Sequence, residues 1–555
     1  LNRAMFSFFK FDQVITYLKL HFNYIGGASL IVFVIVIFAF KKCNAAEIKP
    51  IMNEDVCLNL SKNYSDFILD SLVIENYFLL SNSDDSIRSQ VREFYHARAH
   101  QFAWFNPCGL ATAASTFNEL MKNYQSESGT NRIKHTVLDS LLTNALNDEN
   151  KFLKNWNQVS WLEYLLTESF FQYAPKMYSG STENLRDLSW FIPRRKKNYS
   201  ALLDSLISST NQNQFIEPLN PYYIKLKKKL VEFKRIDKEG TYPLSVFDSL
   251  NLRVGDTDRG ISILKKQLFI LDDWKETDES AIYTSALRDA VMYFQMRMGL
   301  VQTGIIDKKT ITELNTPVKD RIKQILLNLE RLRWVPSTMP QNFFLVNIPE
   351  YKLHVIENGK PLFDMNVIVG KTMHKTVIFE EKISSVVLNP YWNIPKSIVE
   401  NEIRKHMNRD RNYLSRNNME IVTNGNEIVY RQKPGDKNAL GKIKFLFPNH
   451  YNIYLHDAPA KSLFKVNERA FSHGCIRVAE ARKLVLYILN KQETWSVEKL
   501  DAILATNKEK HIAISPAMPV FIAYFTSWVD HKGALHFRND IYGLDKRLEL
   551  EIFGE

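Results

Sequence analysis

Cysteine is scarce in this sequence, with only four residues, Cys43, Cys57, Cys108 and Cys475, in a chain of 555. No Cys-x-x-Cys pair occurs, which argues against a thiolate zinc site of the usual spacing. The sequence also lacks internal repeats and low-complexity tracts. Neither a repeat array nor a compositionally biased region is therefore expected.

A concentrated basic segment is also missing. The net charge of +11 is spread over the whole length, so it is a mild bias and not a nucleic-acid-binding tail. It suits a polyanionic neighbour such as a cell wall or a membrane surface, and it equally suits an ordinary soluble surface. The length and the hydrophobic content of 45% indicate three or four domains with sizeable cores.

One apolar run is long enough to cross a bilayer, namely residues 24–40. Three basic residues precede it and three follow it, so charge does not fix its orientation. An uncleaved signal anchor is favoured over a cleaved signal peptide, for which Asn44-Ala45-Ala46 offers small residues. The prediction is a cytoplasmic tail at 1–23, a transmembrane anchor at 24–40 and a linker at 41–85.

The chemistry concentrates between His456 and Val478, where Ser472-His473-Gly474-Cys475 follows sixteen residues after His456. A cysteine attacks a carbonyl as thiolate, so it needs a base or a cation nearby. Histidine titrates near neutrality and can be that base. The backbone amides of Gly474 and Cys475 are predicted to form an oxyanion hole in a tight turn.

Two other interpretations of these residues compete. A single cysteine is often a small, inert core residue. The two histidines, His456 and His473, can also be zinc ligands, but only Cys475 accompanies them. Cys57 and Cys108 can pair in an oxidising compartment and leave Cys475 free, a question that the sequence leaves open.

Helical periodicity dominates the first half of the chain. It predicts an α-helical domain at 86–245, a compact three-helix module at 246–316 and a connecting helix at 317–340. Strand patterns then predict a mainly β domain at 341–493. A charged, helical insertion at 396–440, opened by a capping box at Ser397, interrupts it. Residues 494–555 are predicted to be an extension that packs on the other domains.

The string from His456 to Cys475, with Arg477 two residues later, resembles the signature of the L,D-transpeptidases, bacterial enzymes that cross-link peptidoglycan. Residues 94–104, 165–180 and 192–195 resemble the scaffold domain of the large multidomain form. Phe294-Gln295, Gly299-Leu300 and Thr303 to Asp307 resemble its peptidoglycan-binding domain. The resemblance implies a multidomain α+β protein with a mainly β catalytic domain, an α scaffold and a three-helix wall-binding module. The insertion at 396–440 resembles a substrate-capping segment and is predicted to be a mobile lid.

The resemblance implies a reaction with peptidoglycan stem peptides. Cys475 attacks the carbonyl before the terminal D-alanine, His456 acts as base, and an amine of another stem resolves the thioester. His473 is expected to orient substrate, and Arg477, Ser472 and Tyr454 to bind it. No metal, organic cofactor or nucleic acid is implied. The implied location is the inner membrane with the catalytic domain in the periplasm, and a carbapenem is an expected covalent inhibitor. A carboxypeptidase, transfer to a protein lysine or D-amino acid, and an inert wall-binding scaffold remain alternatives.

Overall fold

The computed structural model describes residues 65–554 except 82, 107, 129–135, 183, 210–214, 277, 426 and 493–494. The predicted tail, the anchor at 24–40 and most of the linker lie outside these residues and stay predictions. No helix within the described ranges is long and apolar enough to cross a membrane.

The first domain is built from helices around one long, buried helix. That central helix, Trp156–Ser179, is buried along almost its whole length because apolar and aromatic residues occupy all of its faces. Its Glu163 carboxylate accepts the backbone amides of Ala103 and Trp104 at 2.6 and 2.8 Å, which fixes the preceding turn. The surrounding elements are Asp85–Ala97, the short strands β1 (Phe105–Asn106) and β2 (Gly109–Leu110), Thr112–Ser128, Thr136–Asn147, Glu149–Phe152, Tyr199–Ile207 and Pro221–Glu239.

The predicted linker at 41–85 is wrong in its last part. Residues Ser71–Ser81 form a helix. Its Ile74 and Phe78 are buried against the first domain, with 2% of each side chain exposed. The apolar residues of this stretch gain more from packing on the domain than a solvated linker would allow.

The small module contains the helices Gly260–Ile270, Ser285–Arg297 and Lys308–Leu314. Thr284 and Asp307 cap the second and third of these through their side chains. The module lies against the C-terminal part of the chain, since Arg538 donates to the Arg297 carbonyl at 2.7 Å. The helix Val318–Trp334 follows and is buried over its second half.

The mainly β part of the chain is a closed β-barrel. Its strands are β3 Phe343–Asn347, β4 Lys352–Glu357, β5 Lys360–Gly370, β6 Phe379–Leu388, β10 Ile443–Leu446, β11 Leu455–His456, β12 Ala470–Ser472, β13 Ile476–Val478 and β14 Lys510–Ala523. They form a nine-stranded sheet in the order β12-β5-β13-β11-β10-β6-β14-β3-β4, and β4 pairs again with β5, which closes the ring. Alternate residues such as Phe344, Val346 and Leu353 fill the core.

The prediction that residues 494–555 are an extension is wrong, because β14 is an integral strand of the barrel. It lies between β6 and β3 and pairs with both. Pro516 and Pro519 make this stretch look unlike a central strand. A register shift between Ala513 and Met518 accommodates Pro516, whereas Pro519 stays in register opposite Lys382. The helices Ala481–Leu489 and Val497–Ala505 precede β14, and β15 Ser527–Val529, β16 Leu535–Phe537 and the helix Leu544–Phe553 follow it.

The insertion at 396–440 is only half helical. Lys396–Ile398, a π-helical turn at Val399–Ile403, Arg404–Arg409 and Tyr413–Arg416 lead into a hairpin of β8 (Met419–Asn424) and β9 (Glu427–Gln432). This hairpin pairs with β7 (Trp392–Asn393). The predicted cap at Ser397 is wrong, because Pro395 holds the N-cap position and makes no side-chain cap bond. A separate apolar cluster around Ile394, Val399 and Ile403 anchors the segment.

Candidate active site

The predicted site residues meet on one face of two neighbouring strands. β11 and β13 run parallel, with Leu455 opposite Ile476 and His456 opposite Arg477. The ladder continues one step upstream, where Ile476 donates to the Tyr454 carbonyl at 3.1 Å. Because strand side chains alternate between faces, Leu455 and Ile476 enter the core. Tyr454, His456, Cys475 and Arg477 therefore share the opposite face.

Cys475 is half-buried at the start of β13. Its thiol donates a long hydrogen bond to the Asn452 carbonyl at 3.6 Å. Burial raises the pKa of the Cys475 thiol above its ordinary value, while the backbone and the hydroxyl of Tyr454 and the charges of Lys444 and Arg477 oppose that rise. At neutral pH the sulfur is therefore mainly a thiol, with groups around it that favour the thiolate.

His456 is held by its own backbone neighbour. Its Nδ1 lies 2.5 Å from the Asp457 carbonyl oxygen, which only accepts. Nδ1 therefore carries the proton, and Nε2 offers a lone pair. The group that orients His456 is therefore this backbone carbonyl. The Asp457 carboxylate turns away to Lys461, at 2.5 Å. Burial, followed by the Arg477 charge, lowers the pKa of His456 to about 3, so the imidazole is neutral.

The hydrogen bonds of the turn that carries Cys475 contradict two predictions, those for Gly474 and Ser472. The Gly474 amide donates to the Ser472 hydroxyl at 3.1 Å, which removes it from the predicted oxyanion hole. The same hydroxyl donates to the Cys475 carbonyl at 2.5 Å. Ser472 is 2% exposed, so its hydroxyl is used inside the turn and is not a substrate contact. Gly474 has a φ of +111°, which explains why glycine occupies this position.

Three residues that the sequence did not single out support this turn. Thr376 donates from its hydroxyl to the Gly474 carbonyl at 2.8 Å and accepts the Gly370 amide at 2.9 Å. The Tyr542 hydroxyl donates to the Gly370 carbonyl at 2.5 Å. Thr376 and Tyr542 are remote from Cys475 in sequence and form no local pattern with it. Their part becomes visible only in three dimensions.

Two cations lie on the reactive face. Arg477 is half-buried, and its Nε atom is buried without a hydrogen-bond partner in the described part of the chain. Lys444 lies opposite His456 in the pairing of β10 with β11. Its Nζ is 3.9 Å from the centroid of the Tyr454 ring. Both charges suit a substrate that brings carboxylate groups. Arg477 was predicted, whereas Lys444 was missed because a lysine on an alternating strand reads as an ordinary solvated residue.

His473 projects from the opposite side of the turn, toward the insertion. Its Nε2 lies 3.4 Å from Glu402, which belongs to the π-helical turn at Val399–Ile403. Its ring is also 5.2 Å from that of His374, centroid to centroid. Burial and the Lys371 charge lower the pKa of His473 despite Glu402. The structure thus places His473 between the catalytic turn and the insertion, separate from His456.

The described part of the chain contains one free thiol. Cys475 is the free cysteine among the described residues, and Cys108 is disulfide-bonded. The predicted partner, Cys57, lies outside those residues, so that pairing stays a prediction. The described residues also contain no group of three or more His, Cys, Asp or Glu side chains that could hold a metal ion.

Comparison with family models assigns three regions of the chain. Residues 341–498 match the "L,D-transpeptidase catalytic domain", residues 89–230 the "Scaffold domain" and residues 257–314 the "Putative peptidoglycan binding domain". The first region contains the barrel strands that carry Tyr454, His456, Cys475 and Arg477. It ends before β14, which nevertheless completes the barrel.

Individual proteins and solved structures are similar to this chain over only part of its length. A Haemophilus influenzae protein named "Putative L,D-transpeptidase" is 33% identical over 245 residues, which are 41% of this chain and 49% of the relative. The chain thus spans about half the length of that relative. Among solved structures, an L,D-transpeptidase from Stackebrandtia nassauensis is 13% identical, with a TM-score of 0.22, over 51% of this chain and 97% of that one. An L,D-transpeptidase from Mycobacterium smegmatis is 11% identical, with a TM-score of 0.18, over 33% and 58%.

The three family matches confirm the resemblance found in the sequence. They follow one another along the chain in the order scaffold, wall-binding module and catalytic domain. The chain therefore combines, in one polypeptide, the catalytic domain of the L,D-transpeptidase family with a scaffold domain and a peptidoglycan-binding domain.

Proposed function

We propose that this protein is a peptidoglycan L,D-transpeptidase with Cys475 as its nucleophile. The observation that carries the proposal is the shared face of β11 and β13. On this face lie a free thiol and, on the neighbouring strand, a histidine whose tautomer leaves Nε2 unprotonated. A nucleophile, a base and a group that orients the base are the parts that acyl transfer needs.

In the first half-reaction, Cys475 exchanges the Asn452 carbonyl for Nε2 of His456. The sulfur attacks the carbonyl carbon between the third residue of a tetrapeptide stem and the terminal D-alanine, and its proton passes to His456. The Cys475 amide and the Tyr454 hydroxyl, which lies against the sulfur, stabilise the oxyanion. The imidazolium returns the proton to the leaving nitrogen, the C–N bond breaks, and D-alanine departs.

In the second half-reaction, an amine attacks the thioester. His456 accepts a proton from that amine, the C–S bond breaks, and the sulfur leaves as a thiolate that takes the proton back. When the amine comes from the third residue of a neighbouring stem, the product is a cross-link between two third residues. Water in place of the amine gives a carboxypeptidase, and a protein lysine or D-amino acid gives other products. Arg477 is suited to hold a stem carboxylate, because its Nε is buried and unpaired.

Incubation of the protein with a purified disaccharide-tetrapeptide, followed by mass spectrometry, tests the proposal. A cross-linked dimer together with free D-alanine is expected. A tripeptide alone would favour the carboxypeptidase. No release of D-alanine by the folded protein would leave an inert wall-binding scaffold as the better description. Cys475→Ala is the matched control, since it removes only the sulfur.

The insertion at 396–440 is proposed to cover the bound stem. Glu402 reaches His473 on the turn that carries Cys475. A segment that excludes water at the thioester favours aminolysis over hydrolysis. Replacing residues 399–416 by a Gly-Ser loop is expected to lower the ratio of dimer to tripeptide. An unchanged ratio and rate in the folded variant would remove the support for a lid.

The three-helix module is proposed to hold the enzyme on the cell wall, as its family match suggests. The predicted anchor at 24–40 would keep the catalytic domain in the periplasm, on the outer side of the inner membrane. Wall binding is tested by pull-down on purified sacculi. Deletion of 246–316 is expected to weaken retention more than turnover of soluble fragments. Because Arg538 and Asn467 contact this module, near-ultraviolet circular dichroism must first show that the deletion leaves the barrel folded.

A further inference from the structure

Lys444 lies within the site, and the reaction proposed above gives it no part. Its direct partner in the strand pairing is His456, so it occupies the reactive face of the barrel. Its side chain is half-buried, and within the described ranges no carboxylate forms an ion pair with its ammonium group. A lysine removed from water without an anionic partner is costly, and such a position calls for another source of stabilisation.

The Tyr454 ring supplies one source. The ammonium nitrogen is 3.9 Å from the ring centroid, well within the distance at which a cation is attracted to an aromatic face. The second source is the ionised sulfur, since a negative charge on Cys475 raises the pKa of Lys444 against the effect of burial. Tyr454 joins the two, because its hydroxyl lies near Cys475 and favours the thiolate.

These contacts form one chain from the Lys444 ammonium to the Tyr454 ring, and from the Tyr454 hydroxyl to the Cys475 sulfur. An ammonium on the ring face limits the rotation of the ring and draws electron density from it. The phenol hydroxyl then becomes a better donor to a thiolate. This matters because His456 is neutral, so the free site has no imidazolium to stabilise a negative sulfur.

We propose that Lys444 is a positioning residue for the nucleophile, holding the Tyr454 hydroxyl on the Cys475 sulfur and stabilising the thiolate by its charge. The proposal rests on Cys475 being the nucleophile. Other charged groups face the same region. Arg477 lies on β13 and also favours the thiolate, and Glu509 lies toward β14 and acts on Lys444. Glu509 accepts the Tyr391 amide at 2.8 Å. Of these charged groups, Lys444 is the one whose charge lies over the Tyr454 ring.

The test measures the thiol itself, without substrate. The full chain is treated with iodoacetamide at a series of pH values, and the alkylated Cys475 peptide is quantified by mass spectrometry. Wild type is compared with Lys444→Met, with Lys444→Arg, which keeps the charge, and with Lys442→Met. Lys442 belongs to the same stretch of chain, but its ammonium pairs with Asp436 at 2.8 Å, so it is the matched control.

The Lys444→Met midpoint is expected to rise by about 0.5 to 1 pH unit, as when one nearby charge is lost. Lys444→Arg should restore most of the shift, and Lys442→Met should leave the midpoint unchanged. In a Tyr454→Phe background, Lys444→Met should add a smaller shift than it does alone. A merely structural lysine would not move the midpoint.

An unchanged midpoint in folded Lys444→Met, or an equal shift in Lys442→Met, would overturn the proposal. Should Lys444→Met fail to fold, Tyr454→Phe alone decides the matter, because an unchanged midpoint there would break the chain of contacts. The readout is independent of D-alanine release. A protein that proved unable to transpeptidate would therefore still report whether Lys444 acts on the sulfur.

Discussion

Two glycines at the turn that carries Cys475 are expected to lose stability for different reasons when each is replaced by alanine. Gly474 has a φ of +111°, whereas Gly370 does not have a positive φ. A Cβ on Gly474 would find its nearest neighbours, the carbonyls of Lys375 and His374, at 3.7 and 3.9 Å, which is ordinary contact. A Cβ on Gly370 would lie 2.1 Å from the His374 carbonyl oxygen and 2.8 Å from the Thr376 nitrogen. The first substitution strains the backbone, and the second drives a methyl group into it.

The expected losses in the free energy of unfolding follow from the φ of Gly474 and from the contacts of Gly370. Gly474→Ala is expected to cost about 1 to 2 kcal/mol, the penalty of a left-handed conformation for a residue with a Cβ. Gly370→Ala is expected to cost about 3 kcal/mol or more, because backbone atoms cannot move aside as a flexible side chain does. It also disturbs the Gly370 amide that donates to Thr376 at 2.9 Å. The same Cβ would approach the Gly474 Cα at 3.1 Å, so the damage reaches the catalytic turn.

Urea unfolding of both variants, with alkylation of Cys475 as a second readout, measures this difference. Gly370→Ala should lose more free energy of unfolding than Gly474→Ala and should also change the alkylation rate. Gly359→Ala is a useful reference, since Gly359 has a φ of +72° and a single side-chain atom at 3.2 Å. A smaller loss for Gly370→Ala than for Gly474→Ala would refute the argument that close packing, and not the sign of φ, governs this site.

Cys475→Ala is expected to abolish D-alanine release with little change in stability, measured by chromatography of the released amino acid; turnover within about tenfold of wild type would contradict it. His456→Gln is expected to slow acylation at least about 10²-fold in stopped-flow assays, and more than His473→Gln does. Because the pKa of His456 falls to about 3 on folding, the unfolded chain binds a proton that the folded one lacks below about pH 6.5. Wild type should therefore lose about 3 kcal/mol more than His456→Gln between pH 6.5 and 4 in urea unfolding, and parallel losses would show that this imidazole is not buried neutral. A carbapenem is expected to raise the intact mass by one drug mass only when Cys475 is present, and an unmodified mass after long exposure would count against an accessible thiol.

The candidate site residues can be grouped from the sequence because their placement follows two short-range rules. The signature places Cys475 at a fixed spacing from His456, and strand alternation places Tyr454 with His456 and Cys475 with Arg477. The pairing of β11 with β13 then brings the two pairs together. Helical periodicity likewise predicts the module at 246–316, where Thr284 and Asp307 cap helices as their residue types suggest.

The support of the site is less predictable because it depends on long-range pairing. Thr376 and Tyr542 lie 166 residues apart and meet only beneath the catalytic turn. The strand β14 carries two prolines, and only its position between β6 and β3 shows that it belongs in the barrel. In the insertion, the hairpin of β8 and β9 follows a helical stretch with similar charge, so composition does not separate them. The sequence suggests that the Ser472 hydroxyl can contact a substrate. In the structure, this hydroxyl accepts from the Gly474 amide and donates to the Cys475 carbonyl.

In the proposed reaction, the neutral state of His456 has a consequence for the order of the proton transfers. A base with a pKa of about 3 does not readily accept a proton from a thiol whose own pKa is raised. Cys475 and His456 therefore do not form a thiolate–imidazolium pair before the substrate is attacked. Proton transfer must therefore accompany attack on the carbonyl, when charge moves to the oxyanion and the sulfur forms its bond. Once protonated, the buried imidazolium is a strong acid, and the nitrogen of the departing D-alanine is the base that it meets. The burial that makes His456 a reluctant base thus makes it an effective acid, which favours collapse of the intermediate toward the thioester over its reversal.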